Sequence, residues 1–422
     1  MYFYIKNFGC RLNHHEGDII AEKLIANGYR SADFRDADIV IVNGCTVTGR
    51  ADQKVRQFIH RTRREKPNAK ILLTGCTASA IVQKLLPELD GVQIIPPRMR
   101  YDISKIIAAN FHTEISIGGS ADDFITIDGT GISRTRAQLK IQDGCNRRCS
   151  YCIVPLVRGK SRCRKSDDII EQTKIFVDRG FKEIVLTGVD IGDWNEDSKT
   201  LADLLKSLIS QTSIYRIRLS SIEPPGLSDE LLELVATEHR IASHLHIPIQ
   251  SGSQKLLKDM NRPKYHLDEL LEKLIALRKK RTDICFGTDI IVGYPTETDY
   301  DFEDTVKLLQ SGIFAYTHIF RFSPRPKTPA SKLKRLPSKL LAERIEILHK
   351  IDRENRINFA RKFVGKKLDF IVEKQSNNIV SGHTGNYLKV RAEGSAKRGE
   401  IALVEIDSSG EMLVGGIYRK LP

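Results

Sequence analysis

The chain has 422 residues, of which 28% are charged, and a formal net charge of +14 at pH 7. This length suggests about three domains, and because no apolar run of about 18 residues occurs, no membrane span is expected. Eight cysteines without a secretory signal are expected to be ligands or free thiols rather than disulfides, so we predict a cytoplasmic enzyme. The excess of positive charge favours a polyanionic partner.

Residues 1–112 alternate apolar runs with helical patterns. Strands are predicted at 2–8, 39–43, 71–74 and 92–95, and helices at 16–27, 51–65 and 79–86. This alternation predicts an α/β domain, a parallel sheet with helices on both faces. Ligands of such sheets gather at the carboxyl ends of the strands.

A cysteine follows three of these strands, and a glycine precedes each one. The three are Cys10, Cys45 and Cys76. Because the carboxyl ends of parallel strands meet at one edge of a sheet, we expect these thiols to converge and to hold a metal cluster with one iron open. The alternative is that each is a buried, inert cysteine.

A second set of cysteines has the spacing C-x3-C-x2-C and comprises Cys145, Cys149 and Cys152. Three thiolates can hold three corners of a four-iron cluster, whereas a cluster kept for electron transfer normally has four cysteine ligands. The fourth iron is then open to a substrate or cofactor, as catalytic metals are. A zinc knuckle or a disulfide loop is the alternative, and Cys163 is the only nearby candidate for a fourth zinc ligand.

Residues 136–322 continue the β/α alternation. Strands are predicted at 137–141, 183–187, 215–221, 243–247, 285–292 and 316–322, and helices at 166–179, 201–210, 228–238, 253–260, 267–281 and 299–311. Six repeats predict a partial (β/α)6 barrel with function at the strand ends. Polar groups there could bind an ammonium group and ribose hydroxyls, or serve only as caps and turns. They are Thr187, Gly188, Asp190, Ser221, Glu223, Gln250 and Asp289.

Three basic segments are candidates for contact with polyanions. The loop 157–164, with Arg158 and Arg162, is suited to phosphate or carboxylate. Residues 321–367 contain 15 Lys and Arg against 4 Asp and Glu, and residues 61–66 form a further run. Any one of them could be an ordinary solvated surface. Together they favour nucleic acid.

The tail after residue 363 has short alternating strands, predicted at 368–372, 387–390, 401–406 and 412–416. This pattern predicts a small, all-β barrel of the OB type. His383, Asn386 and Tyr387 offer an aromatic ring and polar groups suited to RNA. A plain structural cap is the alternative.

Over nearly its full length the chain resembles the radical S-adenosylmethionine (SAM) methylthiotransferase family. Within that family it looks most like the branch acting on N6-threonylcarbamoyladenosine in tRNA. The motifs that carry the resemblance are Phe8-Gly9-Cys10-Arg11-Leu12-Asn13, Cys45-Thr46-Val47-Thr48, Leu139-Lys140-Ile141-Gln142-Asp143-Gly144-Cys145, Leu219-Ser220-Ser221-Ile222-Glu223-Pro224 and His383-Thr384-Gly385-Asn386-Tyr387.

The resemblance implies a domain order and a chemistry. The expected domains are an N-terminal methylthiotransferase domain (1–112), a linker (113–130), a radical SAM core (131–362) and a C-terminal TRAM domain that binds RNA (363–422). Two 4Fe-4S clusters are implied: the second cysteine set holds the one that binds and cleaves SAM, and the first set holds an auxiliary cluster that carries the sulfur. The implied reaction attaches a methylthio group to C2 of the adenine beside the anticodon.

The implied partners are a tRNA anticodon stem-loop, an electron donor and a sulfur donor. The cofactors carry out the radical chemistry, and the protein positions them against the substrate and excludes competing reactions. Alternatives within the family are an enzyme for isopentenyladenosine in tRNA or one for a ribosomal protein. A non-catalytic RNA-binding protein with structural metal is the alternative outside it, and the six paired cysteines argue against it.

Overall fold

A computed structural model of the protein describes residues 1–109, 124–129, 134–262, 265–410 and 412–421. The described chain forms two compact units that are discontinuous in sequence. The first unit is drawn from residues 1–133, 143–164 and 323–332, and the second from 134–142, 165–322 and 333–422. The continuous domain boundaries expected above stay predictions, and most of the expected linker lies outside the described residues. No helix in the described part is long and apolar enough to cross a membrane.

The first unit contains the predicted parallel α/β sheet, with strand order β2-β1-β3-β4-β5. Its strands are β1 (Tyr2–Asn7), β2 (Arg30–Ser31), β3 (Ile39–Gly44), β4 (Lys70–Thr74) and β5 (Gln93–Ile94), and its helices are α1 (Arg11–Ala26), α2 (Gly49–Glu65), α3 (Gly75–Val82) and α4 (Ile103–Ala108). The central strand β3 is buried throughout, as expected for a strand covered on both faces. The apolar and helical patterns of residues 1–112 did not predict β2 and α4, which are very short. They also placed the start of α1 too late, because the first turn of this helix is polar.

Residues 134–164 carry short elements around the second cysteine set. These are β6 (Ala137–Lys140), β7 (Gln142–Asp143), α5 (Val154–Arg158) and β8 (Arg162–Cys163). Helix α5 begins two residues after Cys152 and has a proline in its first turn. It is followed by Gly159, which has a positive φ of 78°. Proline at the start and glycine just after the end are common at helix termini.

The second unit contains the predicted partial barrel. Its further elements are α6 (Ser166–Asp178), β9 (Glu183–Thr187), α7 (Leu201–Gln211), β10 (Arg216–Leu219), α8 (Asp229–Thr237), β11 (His244–His246), α9 (Gln254–Asp259), α10 (Leu267–Lys280), β12 (Cys285–Val292), α11 (Asp299–Gln310) and β13 (Tyr316–Arg321). Strands β6, β9 and β10 form one parallel sheet, and β11, β12 and β13 form another. Parallel bridges from Ile217 to Ile241 and from Ser221 to His246 join β10 to β11, so the six strands follow one another in chain order.

The long helix α12 (Ser338–Arg361) was not predicted. Its apolar stripe, with Leu341, Leu348, Ile351 and Phe359, is buried, but charged residues between these positions obscure the period. The basic charge of 321–367 is concentrated at the two ends of this helix, because Glu343, Glu346 and Glu354 lie along its middle. Exposed basic residues at the ends are Lys334, Arg335 and Lys339, and Arg361, Lys362, Lys366 and Lys367.

The tail forms the predicted small β-barrel. Its strands are β14 (Lys367–Ser376), β15 (Ile379–Thr384), β16 (Lys389–Glu393), β17 (Ile401–Ser409) and β18 (Leu413–Leu421), closed in the order β14-β15-β16-β18-β17. Phe370, Val380, Val390 and Val404 belong to its core. Strand β15 was missed because only Val380 in it is a fully buried hydrophobic residue, and serine, glycine and histidine follow it.

Candidate active site

The first cysteine set lies at one edge of the first unit's sheet. Cys10 directly precedes α1, Cys45 follows β3, and Cys76 lies in the first turn of α3, after β4. Because β1, β3 and β4 are adjacent parallel strands, their carboxyl ends are neighbours. Gly9, with a φ of +92°, permits the approach: a Cβ built on it would lie 2.5 Å from the Cβ of Cys45.

The thiols of this set are close enough to influence one another's ionisation. Burial, together with the neighbouring Cys76 and Cys10, raises the pKa of Cys45 to about 12. Burial raises the pKa of Cys76 to about 11, and the positive charge of Arg158 opposes that rise. Such thiols ionise when a metal binds them, since coordination deprotonates a thiol outright. Three soft, clustered sulfur donors fit an iron–sulfur cluster.

Asn13 connects the loops that carry these cysteines. Its Nδ2 donates hydrogen bonds to the carbonyl oxygens of Phe8 and Gly44, each at 3.0 Å. Its Oδ1 accepts a hydrogen bond from Nη2 of Arg158 at 2.6 Å. The same amide therefore holds two strand-end loops and orients an arginine toward the thiols.

Arg158 is almost fully buried, with 5% of its side chain exposed. Its Nε donates to Sγ of Cys76 at 3.2 Å, and its Nη1 donates to Oδ1 of Asp143 at 2.9 Å. Glu16 accepts from Nη1 at 3.0 Å and from Nη2 at 3.1 Å, and it also pairs with the buried Arg100. This placement argues against the predicted RNA contact of Arg158, because its donors are used within the protein.

The second cysteine set belongs to the same compact unit. Gly144 has a φ of +74°, and a Cβ built there would lie 2.0 Å from the carbonyl oxygen of Lys160, so only glycine fits. The backbone N–H of Cys145 donates to the carbonyl of Gly159 at 3.0 Å. The backbone N–H of Arg147 donates to Sγ of Cys145 at 3.4 Å. Hydrogen bonds to cysteine sulfur of this kind tune the potential of a cluster.

Helix α5 joins the two cysteine sets. Its Val157 packs in one apolar cluster with Cys76 and Ala80 of α3. The hydroxyl of Ser79 donates to the carbonyl oxygen of Val157 at 2.6 Å. The loop that would hold the SAM cluster is thus fixed through α5 to the helix that carries Cys76. Arg162, which is 39% exposed, donates to the carbonyl oxygens of Arg158 and Lys160.

In the second unit, the polar groups predicted to bind an ammonium group and ribose hydroxyls, both of which SAM carries, lie at the ends of β9, β10 and β11 and within β12. Oδ1 of Asp190 accepts hydrogen bonds from the backbone N–H groups of Gly192 and Glu223, both at 3.2 Å. Gln142, which the sequence pattern did not single out, accepts from the N–H of Asp190 at 3.0 Å. A Cβ at Gly188 would lie 2.8 Å from that same amide oxygen. Asp190 therefore connects two neighbouring strand ends.

The remaining groups also have protein partners. Glu223 accepts from Nη1 of Arg262 at 3.0 Å and forms a second contact with that buried guanidinium. The backbone of Gln250, with a φ of +77°, donates to the carbonyl oxygen of Asp289 at 2.8 Å. Thr187 is buried at the end of β9, and the backbone of Ser221 forms a parallel β-bridge with that of His246. The assignment of these residues to SAM stays a prediction.

The tail residues predicted to contact RNA form a turn against the strands of the second unit. Asn386 is 2% exposed and donates to the carbonyl oxygen of Asp283 at 3.3 Å. Arg218 donates to the carbonyl oxygens of Thr384 and Gly385, each at 3.0 Å, and lies over the ring of Tyr387. His383 stacks on Tyr387 and contacts Glu373. This placement favours the alternative interpretation, a structural role, for Asn386 and Tyr387.

A buried ionic network surrounds that turn. Glu183 accepts from Nε of Arg218 at 2.6 Å and from Nη1 of Arg216 at 3.1 Å. Burial would raise the pKa of Glu183, but the arginines outweigh it and lower that pKa to about 2. Arg216 also pairs with Asp369 of β14. The network ties the small barrel to β9 and β10.

Comparison with known proteins agrees with this arrangement. Residues 139–309 match the radical SAM superfamily, and residues 2–95 match the uncharacterized protein family UPF0004. The threonylcarbamoyladenosine tRNA methylthiotransferase MtaB of Aquifex aeolicus is 35% identical over 95% of this chain and 99% of its own length. The tRNA-2-methylthio-N(6)-dimethylallyladenosine synthase of Thermodesulfovibrio yellowstonii is 33% identical over 96% of this chain and 95% of its own length.

Among solved structures, the radical SAM methyltransferase TsrM from Kitasatospora setae has a TM-score of 0.56 at 14% identity, covering 78% of this chain and 74% of that one. At this identity the likeness shows the fold alone. The partial barrel and the C-x3-C-x2-C loop are those of a radical SAM protein. With the near-complete match to curated relatives, the chain belongs to the radical SAM methylthiotransferase family.

Proposed function

We propose that this protein is a tRNA methylthiotransferase that places a methylthio group on C2 of N6-threonylcarbamoyladenosine beside the anticodon. The observation that carries the proposal is the presence of two three-cysteine sets in one compact unit, connected by α3, α5 and Arg158. Four similar curated proteins, at 34% to 35% identity, bear the name threonylcarbamoyladenosine tRNA methylthiotransferase.

SAM and two 4Fe-4S clusters would supply the radical and sulfur chemistry. The chain's own contribution is to hold and orient them. Cys145, Cys149 and Cys152 would bind the cluster that contacts SAM, and Cys10, Cys45 and Cys76 would bind the auxiliary cluster. An aromatic C–H carries no acidic proton, so no side chain is needed as a general base for its activation.

The tRNA would bind through phosphate contacts and an accessible base. The exposed lysines and arginines at both ends of α12 are suited to phosphate. A purine beside the anticodon lies in a single-stranded loop, so its edge can be presented at a modest unstacking cost. We expect the protein to act in the cytoplasm, with an electron donor and a sulfur donor as further partners.

Nucleoside mass spectrometry of tRNA from cells that lack this protein tests the proposal. We expect loss of 2-methylthio-N6-threonylcarbamoyladenosine and accumulation of the form without the methylthio group, restored by the wild-type chain and not by Cys149→Ala. The second candidate substrate is the dimethylallyl (isopentenyl) adenosine that the 33% identical relative is named for. Loss of its methylthio form instead would support that candidate and overturn the first.

A further inference from the structure

Three adjacent strands of the second unit place two histidines and an aspartate on the same face. Asp289 of β12 is the direct register partner of His318 of β13. His246 of β11 pairs with Gly287, two residues before Asp289, so its side chain emerges on the same face. Nε2 of His246 lies 3.0 Å from Oδ1 of Asp289, and Nδ1 of His318 lies 3.1 Å from that oxygen.

We propose that His246, Asp289 and His318 form a binding site for one divalent transition-metal ion, independent of the cysteines. One ligand atom from each residue lies within 4.8 Å of the other two. Two ligand atoms that each lie about 2.1 Å from an ion, at a right angle to each other, are about 3.0 Å apart. The separations of Asp289 from His246 and from His318 match that value. Two imidazoles and one carboxylate are a donor set used by zinc and by non-haem iron(II), with coordination positions left open.

The surroundings of His246 suit a metal ligand. The hydroxyl of Tyr316 lies 3.2 Å from Nδ1 of His246 and 2.8 Å from Nε2 of His244. When Nε2 of His246 binds an ion, its Nδ1 carries the proton and donates to Tyr316, whose hydroxyl then donates to His244. Metal-bound histidines usually donate their second N–H to such a partner, which fixes the tautomer and the ring orientation.

The position of Tyr316 is itself built into the sheet. A Cβ on Gly287 would lie 2.0 Å from Cζ of the Tyr316 ring, so a glycine is required opposite that ring. The tyrosine also packs against both histidine rings, His244 and His246. The hydrogen-bond partner of the proposed ligand is therefore held in place by packing.

An ion could enter from the side of His318. His246 is buried, whereas the His318 side chain is 51% exposed. His318 and Tyr316 both line a cavity of about 580 Å³. The exposure of one ligand beside a cavity leaves room for water or a ligand oxygen in the open coordination positions.

Zinc binding to the holoenzyme tests this site. The protein, with both clusters loaded, is titrated anaerobically with Zn²⁺ by calorimetry, and zinc and iron are measured in the same samples after dialysis. We expect about one zinc per chain without loss of iron. His318→Phe removes a ligand and Asp289→Asn replaces a carboxylate ligand by a neutral amide, so each should weaken zinc binding by about tenfold or more.

His349→Phe is the matched control, because His349 is exposed on α12, lines the same cavity and lies outside the triad. It should bind zinc as the wild type does. X-ray absorption at the zinc edge of the wild-type protein should show nitrogen and oxygen ligands and no sulfur. Sulfur ligands, no zinc retained by the wild type, or equal binding by wild type and His318→Phe would each overturn the proposal.

Discussion

Nε of Arg158 donates a hydrogen bond to Sγ of Cys76 at 3.2 Å. Arg158 ends the helix that follows the second cysteine set, and Cys76 belongs to the first. A buried cation beside a thiolate stabilises the negative charge, and hydrogen bonds to cluster sulfurs are one determinant of reduction potential. Arg158 is therefore expected to act as a positioning residue for the auxiliary cluster.

Substitution of Arg158 by Gln should lower the reduction potential of the auxiliary cluster, because reduction adds negative charge that the arginine stabilises. A redox titration followed by electron paramagnetic resonance measures this, with iron content as the control for cluster loss. Arg158→Lys keeps the charge and should change the potential less. An unchanged potential in the Gln variant would mean that Arg158 serves only to neutralise Glu16 and Asp143.

Cys45→Ala should abolish methylthio transfer while SAM is still cleaved. The variant loses a ligand of the auxiliary set only, so about four irons per chain should remain instead of about eight. Iron analysis and 5′-deoxyadenosine measurement check this. Cys163→Ala is the matched control, since Cys163 belongs to neither set, and it should keep both the iron and the activity. Normal methylthiolated tRNA from the Cys45 variant would refute the auxiliary assignment.

Cys149→Ala should abolish the formation of 5′-deoxyadenosine, because it removes a ligand of the proposed SAM cluster. The auxiliary set is untouched, so about four irons should again remain. Chromatography of SAM incubated with reductant and the variant protein provides the measurement. Wild-type rates of SAM cleavage would show that the cluster lies elsewhere.

Glu183 should contribute a stability that depends on pH. Its pKa is about 2 in the folded protein against 4.5 for an ordinary glutamate, so its contribution is complete above about pH 4.5 and is lost as the pH falls toward 2. Glu183→Gln should therefore lower the free energy of unfolding, and its difference from wild type should shrink below about pH 4.5. Urea unfolding of both proteins, followed through the buried Trp194, measures this. A difference that does not vary with pH would mean that Glu183 is not ionised in the fold.

Charge reversal at Arg361 and Lys366, which are exposed at the carboxyl end of α12 and just after it, should weaken tRNA binding and reduce its salt dependence. The slope of log K against log salt should change by roughly 0.7 to 0.9 for each phosphate that the protein no longer neutralises. Lys273→Glu with Lys280→Glu, on α10, is a control of equal charge change. Filter binding at several salt concentrations distinguishes them; equal effects would mean that only net charge matters.

Elements could be predicted from the sequence where their structure depends on the residues of one short segment. The alternation of apolar segments with helical segments predicted a layered α/β sheet. A glycine and a cysteine after three of the apolar segments then placed Cys10, Cys45 and Cys76 just after strands of that sheet. The six β/α repeats and the closed tail barrel could be predicted for the same reason. Helix α12 could not be predicted, because charged residues between its buried positions hide the helical repeat of its apolar residues.

The sequence by itself thus determined the fold class, the family and the six cysteines, because these depend on local periodicity and spacing. Only the tertiary structure decided the buried placement of Arg158, because its basic neighbours in sequence suggest an exposed loop. Its partner Glu16 lies 142 residues away, and Asn13 lies 145 away. The convergence of His246, Asp289 and His318 was also decided by strand register, which no short segment contains. A buried charge needs a partner that neutralises it, and here the partners are distant in sequence and meet only in the folded protein.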